Sequence, residues 1–303
     1  MSAKKKTESY SQEKPLVTFA LFAYNQEAYI LKALEGVFSQ TYSPLEILIS
    51  DDCSADRTYQ IIEQMTNTYR GPHKVTCSRN AKNLGIAEHV NKINSLANGE
   101  LIVVAAGDDI SIPGRTQRLV DEYLSSHKLA NYFYSSAQQI GLDGTVMSVV
   151  KSPGAKNSTS KLHAALSPYP ISIGATQAWT KLLVRAFAPL GSGVWAEDQV
   201  LGVRGLLLGP IRCVDEPLVH YRVGSGVSTR KKKFLIGKYF RGKIAGIGIY
   251  QQRCIDAWHV KDYFLSIIVA TKVLVLTLII PFDPVISLVK KLGKVITCQT
   301  DGP

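Results

Sequence analysis

Leu16-Val17-Thr18-Phe19-Ala20-Leu21-Phe22-Ala23 is a near-continuous apolar run that gives way to Tyr24-Asn25-Gln26-Glu27. A strand with one solvated face alternates polar and apolar residues; this run does not, and reads as a strand covered on both faces in a parallel sheet. Outward from it, Ile30, Leu31, Leu34, Val37 and Phe38 recur at helical spacing, and the proline in Ser43-Pro44 limits that helix. A second strand follows over 45–50. Then come a helix after Asp56 (Ile62, Met65, Tyr69), a short strand at 74–77 and a helix with Ile86, Val90, Ile93 and Ala97 on one side. Leu101-Ile102-Val103-Val104-Ala105-Ala106 is the fourth strand. Strand and helix alternating over roughly 110 residues specify a doubly wound α/β sheet, whose ligands bind outside the carboxyl ends of the strands.

Two acidic clusters stand at those ends: Asp51-Asp52-Cys53-Ser54-Ala55-Asp56 after the second long strand, and Gly107-Asp108-Asp109 after the fourth. Carboxylate pairs on one rim need a cation or hydrogen-bond donors to offset their repulsion, and oxygen ligands suit magnesium or manganese. Asp51 and Asp56 also suit helix capping, which is the expected role of Asp56. Asp109 is read as functional, because Ser111-Ile112-Pro113 supplies the next helix with its own start. No glycine-rich phosphate loop follows the first strand, and the cluster Gly242, Gly246, Gly248 follows a basic stretch, which excludes dinucleotide and Walker-type sites. Trp195-Ala196-Glu197-Asp198-Gln199 opens a helical segment that closes at Gly209-Pro210. Two carboxylates at a helix start either complement its dipole or do chemistry, and the pattern alone leaves both open.

The 303 residues allow one large domain or two smaller ones, and 46% hydrophobic with 19% charged residues is a globular composition. A net charge of +11 favours partners that carry phosphate. Five scattered cysteines (Cys53, Cys77, Cys213, Cys254, Cys298) without a C-x-x-C pair read as reduced cytosolic thiols. Residues 1–15 read as a basic, solvated tail with no secretory signal.

Together these residues resemble a family 2 glycosyltransferase with the GT-A fold, over residues 16–228. Tyr24-Asn25 matches the family's first strand end, Ser39-Gln40-Thr41-Tyr42 its Ser-Gln-Thr-Tyr-like turn, and Ser50 to Asp56 its Val-Asp-Asp-Gly-Ser-x-Asp box. Asn83-Leu84-Gly85 matches Asn-x-Gly, Asp108-Asp109 the Asp-x-Asp-type metal motif, Glu197-Asp198 the Glu-Asp pair and Tyr221-Arg222 the Tyr-Arg segment. The resemblance implies an inverting, nucleotide-sugar-dependent transferase. Its fold would be a doubly wound, Rossmann-like mixed sheet flanked by helices, with residues 16–112 binding the donor and 113–228 the acceptor. Ala23, Asn25, Glu27, Asp52, Asn83 and Asp108 would surround the nucleotide sugar, Asp52 at the base and Asp108 at the ribose or diphosphate. Asp109 would hold a divalent Mn2+ or Mg2+ ion, and Asp198 would be the general base. Glu197 and Arg222 would lie beside them.

Three positions depart from the pattern. Cys53 replaces the usual glycine, Gly107 leaves Asp109 without an acid two places earlier, and Tyr221-Arg222-Val223-Gly224 lacks the histidine of Tyr-Arg-x-His. His220 is read as structural. His89, on the helix after Gly85, is read as a surface histidine at the rim, with phosphate contact as the functional alternative. The stretch 167–180 is assigned to the acceptor side.

Residues 229–303 form a basic and apolar helical extension. Arg230-Lys231-Lys232-Lys233, Lys238, Arg241 and Lys243 are interleaved with aromatics, which favours an anionic membrane surface over nucleic acid. The stretch 264–280 is apolar but short of the ~20 residues of a spanning helix and carries Lys272 at its middle. Monotopic attachment at the cytoplasmic face of the membrane is therefore expected ahead of a span, and core helices covering the catalytic domain are the alternative. The acceptor implied is a saccharide, lipid-linked as in bacterial polysaccharide assembly. Transfer to polyprenyl phosphate itself and a non-catalytic sugar-nucleotide-binding scaffold are the competing readings.

Overall fold

The computed structural model describes residues 13–151, 160–225 and 236–279, with backbone alone for 236–245. Its first half holds β1 (Val17–Ala23), α1 (Ile30–Phe38), β2 (Leu45–Asp51), α2 (Thr58–Thr68), β3 (Lys74–Arg79), α3 (Ile86–Leu96) and β4 (Leu101–Ala106). These strands are parallel in the order β3-β2-β1-β4. The unbroken apolar run of β1 is explained by cover on both faces. Phe19 and Leu21 pack with Ile30, Leu34 and Val37 of α1, while Ala20 faces the opposite layer with Val90 and Ile93 of α3. Each fully buried Leu, Ile or Phe side chain stabilises this core by about 1.5–3 kcal/mol.

After β4 come β5 (Ile110–Ser111), α4 (Arg115–Ser125), β6 (Tyr132–Ile140), β7 (Val146–Val150), α5 (Lys161–Leu166), β8 (Ala178–Thr180), α6 (Lys181–Ala186), α7 (Asp198–Leu208), β9 (Ile211–Arg222), α8 (Ile236–His259) and α9 (Tyr263–Ile279). A 3₁₀ turn spans Gly174–Thr176. β8 lies antiparallel to both β4 and β6, and β6 runs parallel to β9. The sheet therefore becomes mixed beyond β4, as expected, and continues β4-β8-β6-β9-β5.

Two local expectations are corrected. Ser111 does not start a helix: Ile110 and Ser111 pair with His220 and Val219 of β9, and α4 begins at Arg115 without a side-chain cap. The short strand ties the turn after Asp109 to β9, which sets where the acidic rim sits. α1 ends at Phe38, well before Pro44, because Gln40 takes over. Its amide donates to the carbonyls of Gly36 and Ile112 and accepts from the N–H and hydroxyl of Thr116.

The C-terminal helices join the same core. Ile249, Tyr250 and Ala257 of α8 and Leu265 and Val269 of α9 cluster with Val90, Ile102 and Leu201. Arg204 of α7 makes a buried bidentate pair with Asp256 of α8, at 2.8 and 3.0 Å. Removing one partner of such a pair costs about 3–5 kcal/mol. Among the described residues no helix is long and apolar enough to cross a membrane. The run Arg230 to Lys233, the apolar piece after Pro281 and most of the N-terminal tail lie outside the described residues.

Candidate active site

Parallel register brings the ends of three strands level. Ala23 pairs with Asp51 across β1 and β2, and Phe22 with Ala106 across β1 and β4. Asn25, Asp52 and Asp108 therefore emerge from one sheet edge, where a doubly wound sheet binds ligands. Asp52 is buried and fully engaged: Oδ1 accepts from Asn80 Nδ2 and Leu84 N, both at 2.8 Å, and Oδ2 accepts from Gly85 N at 3.0 Å. It fixes the loop that carries Asn83, whose own side chain accepts from Gly85 N at 2.9 Å. Gly85 has φ +75°, and its carbonyl accepts from His89 N at the start of α3.

Asn25 also adopts a left-handed conformation, φ +52°. Its N–H donates to Ser54 Oγ and its Oδ1 accepts from Ala55 N, which stitches the β1 and β2 turns together. Cys53 holds φ +62° where glycine would sit without strain. Asp56 is not the N-cap of α2, a position Arg57 takes without a side-chain cap, but its carboxylate accepts from the N–H and hydroxyl of Thr58, the helix's first residue. The Glu27 carboxylate is paired with Arg57, and Ala23 contributes its carbonyl to Asp52 N while its side chain lies in the core. His89 is not a surface residue: it is 3% exposed, its Nε2 lies 2.7 Å from Ser50 Oγ and its ring meets Phe22 edge-on. Burial lowers its pKa, so it sits neutral beneath the rim.

Asp108 and Asp109 leave β4 into a cage of donors. Gln26 Nε2 and Ser225 Oγ each donate to an Asp108 carboxylate oxygen at 2.8 Å. Arg222 N donates to Asp109 Oδ1 at 2.7 Å, and its guanidinium donates to the carbonyls of Asp108, Gly141 and Leu142 while stacking on Tyr29. Burial, and then the neighbouring Asp108 charge, push the Asp109 carboxyl well above its ordinary value despite Arg222 and Arg115 nearby. The two arginines thus only partly offset what burial and Asp108 cost the ionised Asp109. Wholly buried Arg115 spans from Ser111 Oγ (2.9 Å) to the carbonyl of Ala175 (2.8 Å), linking the acidic rim to the turn Gly174–Thr176.

Across from this rim stands the start of α7. Glu197 and Asp198 are half-buried, and a Cβ placed on Gly174 would lie 3.3 Å from Glu197 Oε1 and 3.7 Å from Asp198 Oδ2. The turn thus lies directly against both carboxylates, tight to Glu197 and in ordinary contact range of Asp198. Burial raises both pKa values, Glu197 further because Asp198 adds its charge, while Gln199 N–H and Arg253 oppose the rise at Asp198. An apolar cleft lined by Phe22, Ile86, Ala106, Gly174, Trp179 and Glu197 runs from the end of β4 to this helix start. Burial raises the pKa of Tyr221 on β9, and the charges of Asp109, Asp108 and Asp198 add to the rise.

The reading from sequence missed Gln26, Asn80, Arg115, Ser225 and Arg253. Each acts through contacts made across long separations, and no spacing pattern marks such residues. Gly174, within the stretch 167–180, lies against Glu197 and Asp198. Among the described residues no three His, Cys, Asp or Glu side chains cluster as a complete metal site.

Residues 18–163 match the family described as Glycosyl transferase family 2. The chain is similar to the putative glycosyltransferase EpsE of Bacillus subtilis (31% identity over 114 residues, 38% of this chain and 40% of that protein). It is also similar to chondroitin synthase of Escherichia coli (28% over 240 residues, 78% of this chain and 33% of that protein). The matches thus span 40% and 33% of the length of these relatives. Among solved structures, S. aureus TarS 1-349 in complex with UDP-GlcNAc aligns with a TM-score of 0.58 at 16% identity, over 82% of this chain and 71% of that one. The mannosyltransferase PcManGT from Pyrobaculum calidifontis, in complex with GDP-Man and Mn2+, gives 0.57 at 16%, over 95% and 85%. At such identities the structures establish a shared fold, which extends past the family match to the segment bearing Glu197 and Asp198. Asp52, Asp108 and Asp109 all lie inside the matched stretch, so residues 18–163 of the chain form a domain of the glycosyl transferase family 2 type.

Proposed function

We propose that this chain transfers a sugar from a nucleotide-diphosphate sugar to a hydroxyl of a saccharide acceptor, lipid-linked in the cell, with inversion at the anomeric carbon. The observation that supports this reading is the cleft from the end of β4 to Glu197 at the start of α7, with Arg115 joining the segment after Asp109 to the Gly174–Thr176 turn that lies against Glu197 and Asp198. The loop ordered by Asp52 would cradle the nucleoside, and Asp108 would meet the ribose or diphosphate.

The residues fit a divalent cation. Asp109 and Asp108 are adjacent hard oxygen donors, and burial together with their mutual repulsion disfavours an ionised Asp109, which a cation would offset. Asp109 would hold the ion, with the donor's own diphosphate oxygens completing its coordination. Bound there, a cation stabilises the charge that builds on the departing diphosphate. On the other side, Asp198 would take the proton from the attacking acceptor hydroxyl, and its raised pKa suits a base working near neutrality. Glu197, adjacent and more strongly raised, would remain protonated and orient the acceptor as a hydrogen-bond donor.

Thermal unfolding and slow hydrolysis measured over a panel of sugar nucleotides, with and without manganese, test this reading. One nucleotide sugar should raise the melting temperature by mass action, and only with metal. A folded protein that responds to none of them, or equally well under chelation, overturns it.

A further inference from the structure

The outer surface of the α8–α9 hairpin has a composition that the proposed reaction does not use. On α9, Leu265, Val269, Val273 and Leu276 face the protein. Phe264, Ile267, Leu274, Val275 and Leu278 recur on the other side at helical spacing, Phe264 being 74% exposed. The neighbouring surface of α8 continues the stripe with Ile255 and Trp258, and Trp258 packs edge-on against Tyr263 at the hairpin turn. An apolar strip of this length on a soluble surface marks a binding site.

The charges are sorted with the same polarity. Lys272, the one charged residue of α9, turns inward: its Nζ donates to the Leu166 carbonyl and lies 4.3 Å from the Tyr250 ring centre. Both acids of the described C-terminal helices are neutralised, Asp256 by Arg204 and Asp262 by Lys161. Residues 226–303 carry thirteen Lys and Arg against four Asp, a net +9 of the chain's +11. An apolar stripe within so basic a stretch of sequence is complementary to an anionic lipid surface rather than to a second, equally basic copy of this chain. With 17 residues described in α9 and no span among the described helices, the hairpin would lie on the bilayer rather than cross it.

We infer that the exposed face of the α8–α9 hairpin, built on Ile255, Trp258, Phe264, Ile267, Leu274 and Leu278, docks on an anionic bilayer as a monotopic contact, with Trp258 and Tyr263 at the headgroup level. Docking there would place the membrane beside the acceptor half, because α8 also delivers Arg253 to the carbonyl of Gln199, next to Asp198.

Flotation of the full chain tests this, using vesicles of phosphatidylcholine with phosphatidylglycerol and vesicles of phosphatidylcholine alone. Wild type should float with the mixed vesicles and largely not with the neutral ones. The triple variant Phe264→Ser, Ile267→Ser, Leu274→Ser should bind at least about tenfold more weakly while keeping its melting temperature. Absence of wild-type binding overturns the proposal, as does undiminished binding by a folded triple variant, which would leave the basic segment as the sole anchor. Should the triple variant not fold, brominated phosphatidylcholine in the mixed vesicles decides on a Trp195→Phe background, where Trp258 is the one exposed tryptophan and Trp179 is buried. Quenching of Trp258 supports insertion; unchanged emission with bound protein overturns it. A lipid-free dimer that the triple variant dissolves would assign the face to a second copy instead.

Discussion

The Arg253 guanidinium on α8 reaches the carbonyl oxygen of Gln199 through both Nη2, at 2.7 Å, and Nε, at 2.9 Å. Gln199 follows Asp198, so the C-terminal helix holds the first turn of α7 by its backbone. The same guanidinium takes the carbonyls of Ala165 and Ser167 at 3.0 and 2.7 Å. Its charge also opposes the burial that raises Asp198.

Arg253→Met should therefore do two separable things. It takes a donor away from three carbonyls, the buried one of Ala165 and the half-buried ones of Ser167 and Gln199, and a buried group left unsatisfied costs about 1–3 kcal/mol. It also removes the cation that favours ionised Asp198, so the acidic limb of the pH-rate profile moves to higher pH. Arg253→Lys should restore much of the limb's position but little of the stability, because one ammonium cannot span three carbonyls. A pH profile unchanged in a folded Arg253→Met variant would remove Arg253 from the list of residues that position the base.

Asp198→Asn and Glu197→Gln should differ in kind. Loss of a general base lowers turnover by about 10²–10⁴ while donor affinity in a titration stays near wild type. Substantial transfer by Asp198→Asn would sink the assignment. Glu197→Gln keeps a hydrogen-bond donor and should retain more activity. Its effect on stability has a definite sign. Glu197 has a pKa raised on folding, so the folded state holds its proton more tightly, and stability falls as pH rises from the ordinary carboxylate range towards the raised value. Glu197→Gln should thus melt above wild type near neutral pH and level with it below about pH 4. Equal melting temperatures at both pH values would contradict the burial argument.

The apolar runs of β1 and β4 and the acidic clusters after β2 and β4 could be read from sequence because each depends on neighbours in the chain. Buried parallel strands lose alternation, and strand ends in such a sheet bind ligands, so Asp52, Asp108 and Asp109 were locatable. His89 was misplaced because a polar residue on a helix reads as exposed unless its partner is known, and that partner, Ser50, lies 39 positions away. Ser111 looked like a helix start because the strand it joins, β9, arrives more than a hundred residues later. Arg115 and Arg253 are cations in the core, a pattern that composition and periodicity argue against. They are held there by carbonyls supplied by distant segments.

Asp109→Asn tests the buried carboxylate at the rim. The amide keeps the size of the side chain but lowers its affinity for a hard cation, so manganese-dependent stabilisation by the donor should weaken by at least about tenfold. Metal-free melting should hold steady or rise, since the amide oxygen can still accept from Arg222 N while a buried carboxylate repelled by Asp108 has been removed. Donor binding that remains equally manganese-dependent in this variant would refute a metal role for Asp109.

Asp52 gives the sharpest geometrical test, because both of its carboxylate oxygens accept from donors, two on Oδ1 and one on Oδ2. Asp52→Asn must turn an NH2 group either towards Asn80 Nδ2 and Leu84 N or towards Gly85 N, so at least one donor faces a donor. The variant should lose about 1–3 kcal/mol of stability and loosen the loop at Asn83 to Gly85, weakening nucleotide affinity. Adding Asn80→Asp supplies an acceptor to the new amide and a carboxylate to Lys92, which already bonds to the Asn80 side chain. The double variant should recover part of the melting temperature while nucleotide affinity stays low if the Asp52 carboxylate itself meets the base. Recovery of both together would show that Asp52 acts only by holding the loop, and lack of any recovery would mean that the contact with Leu84 or Gly85, rather than Asn80, decides the fold of this turn.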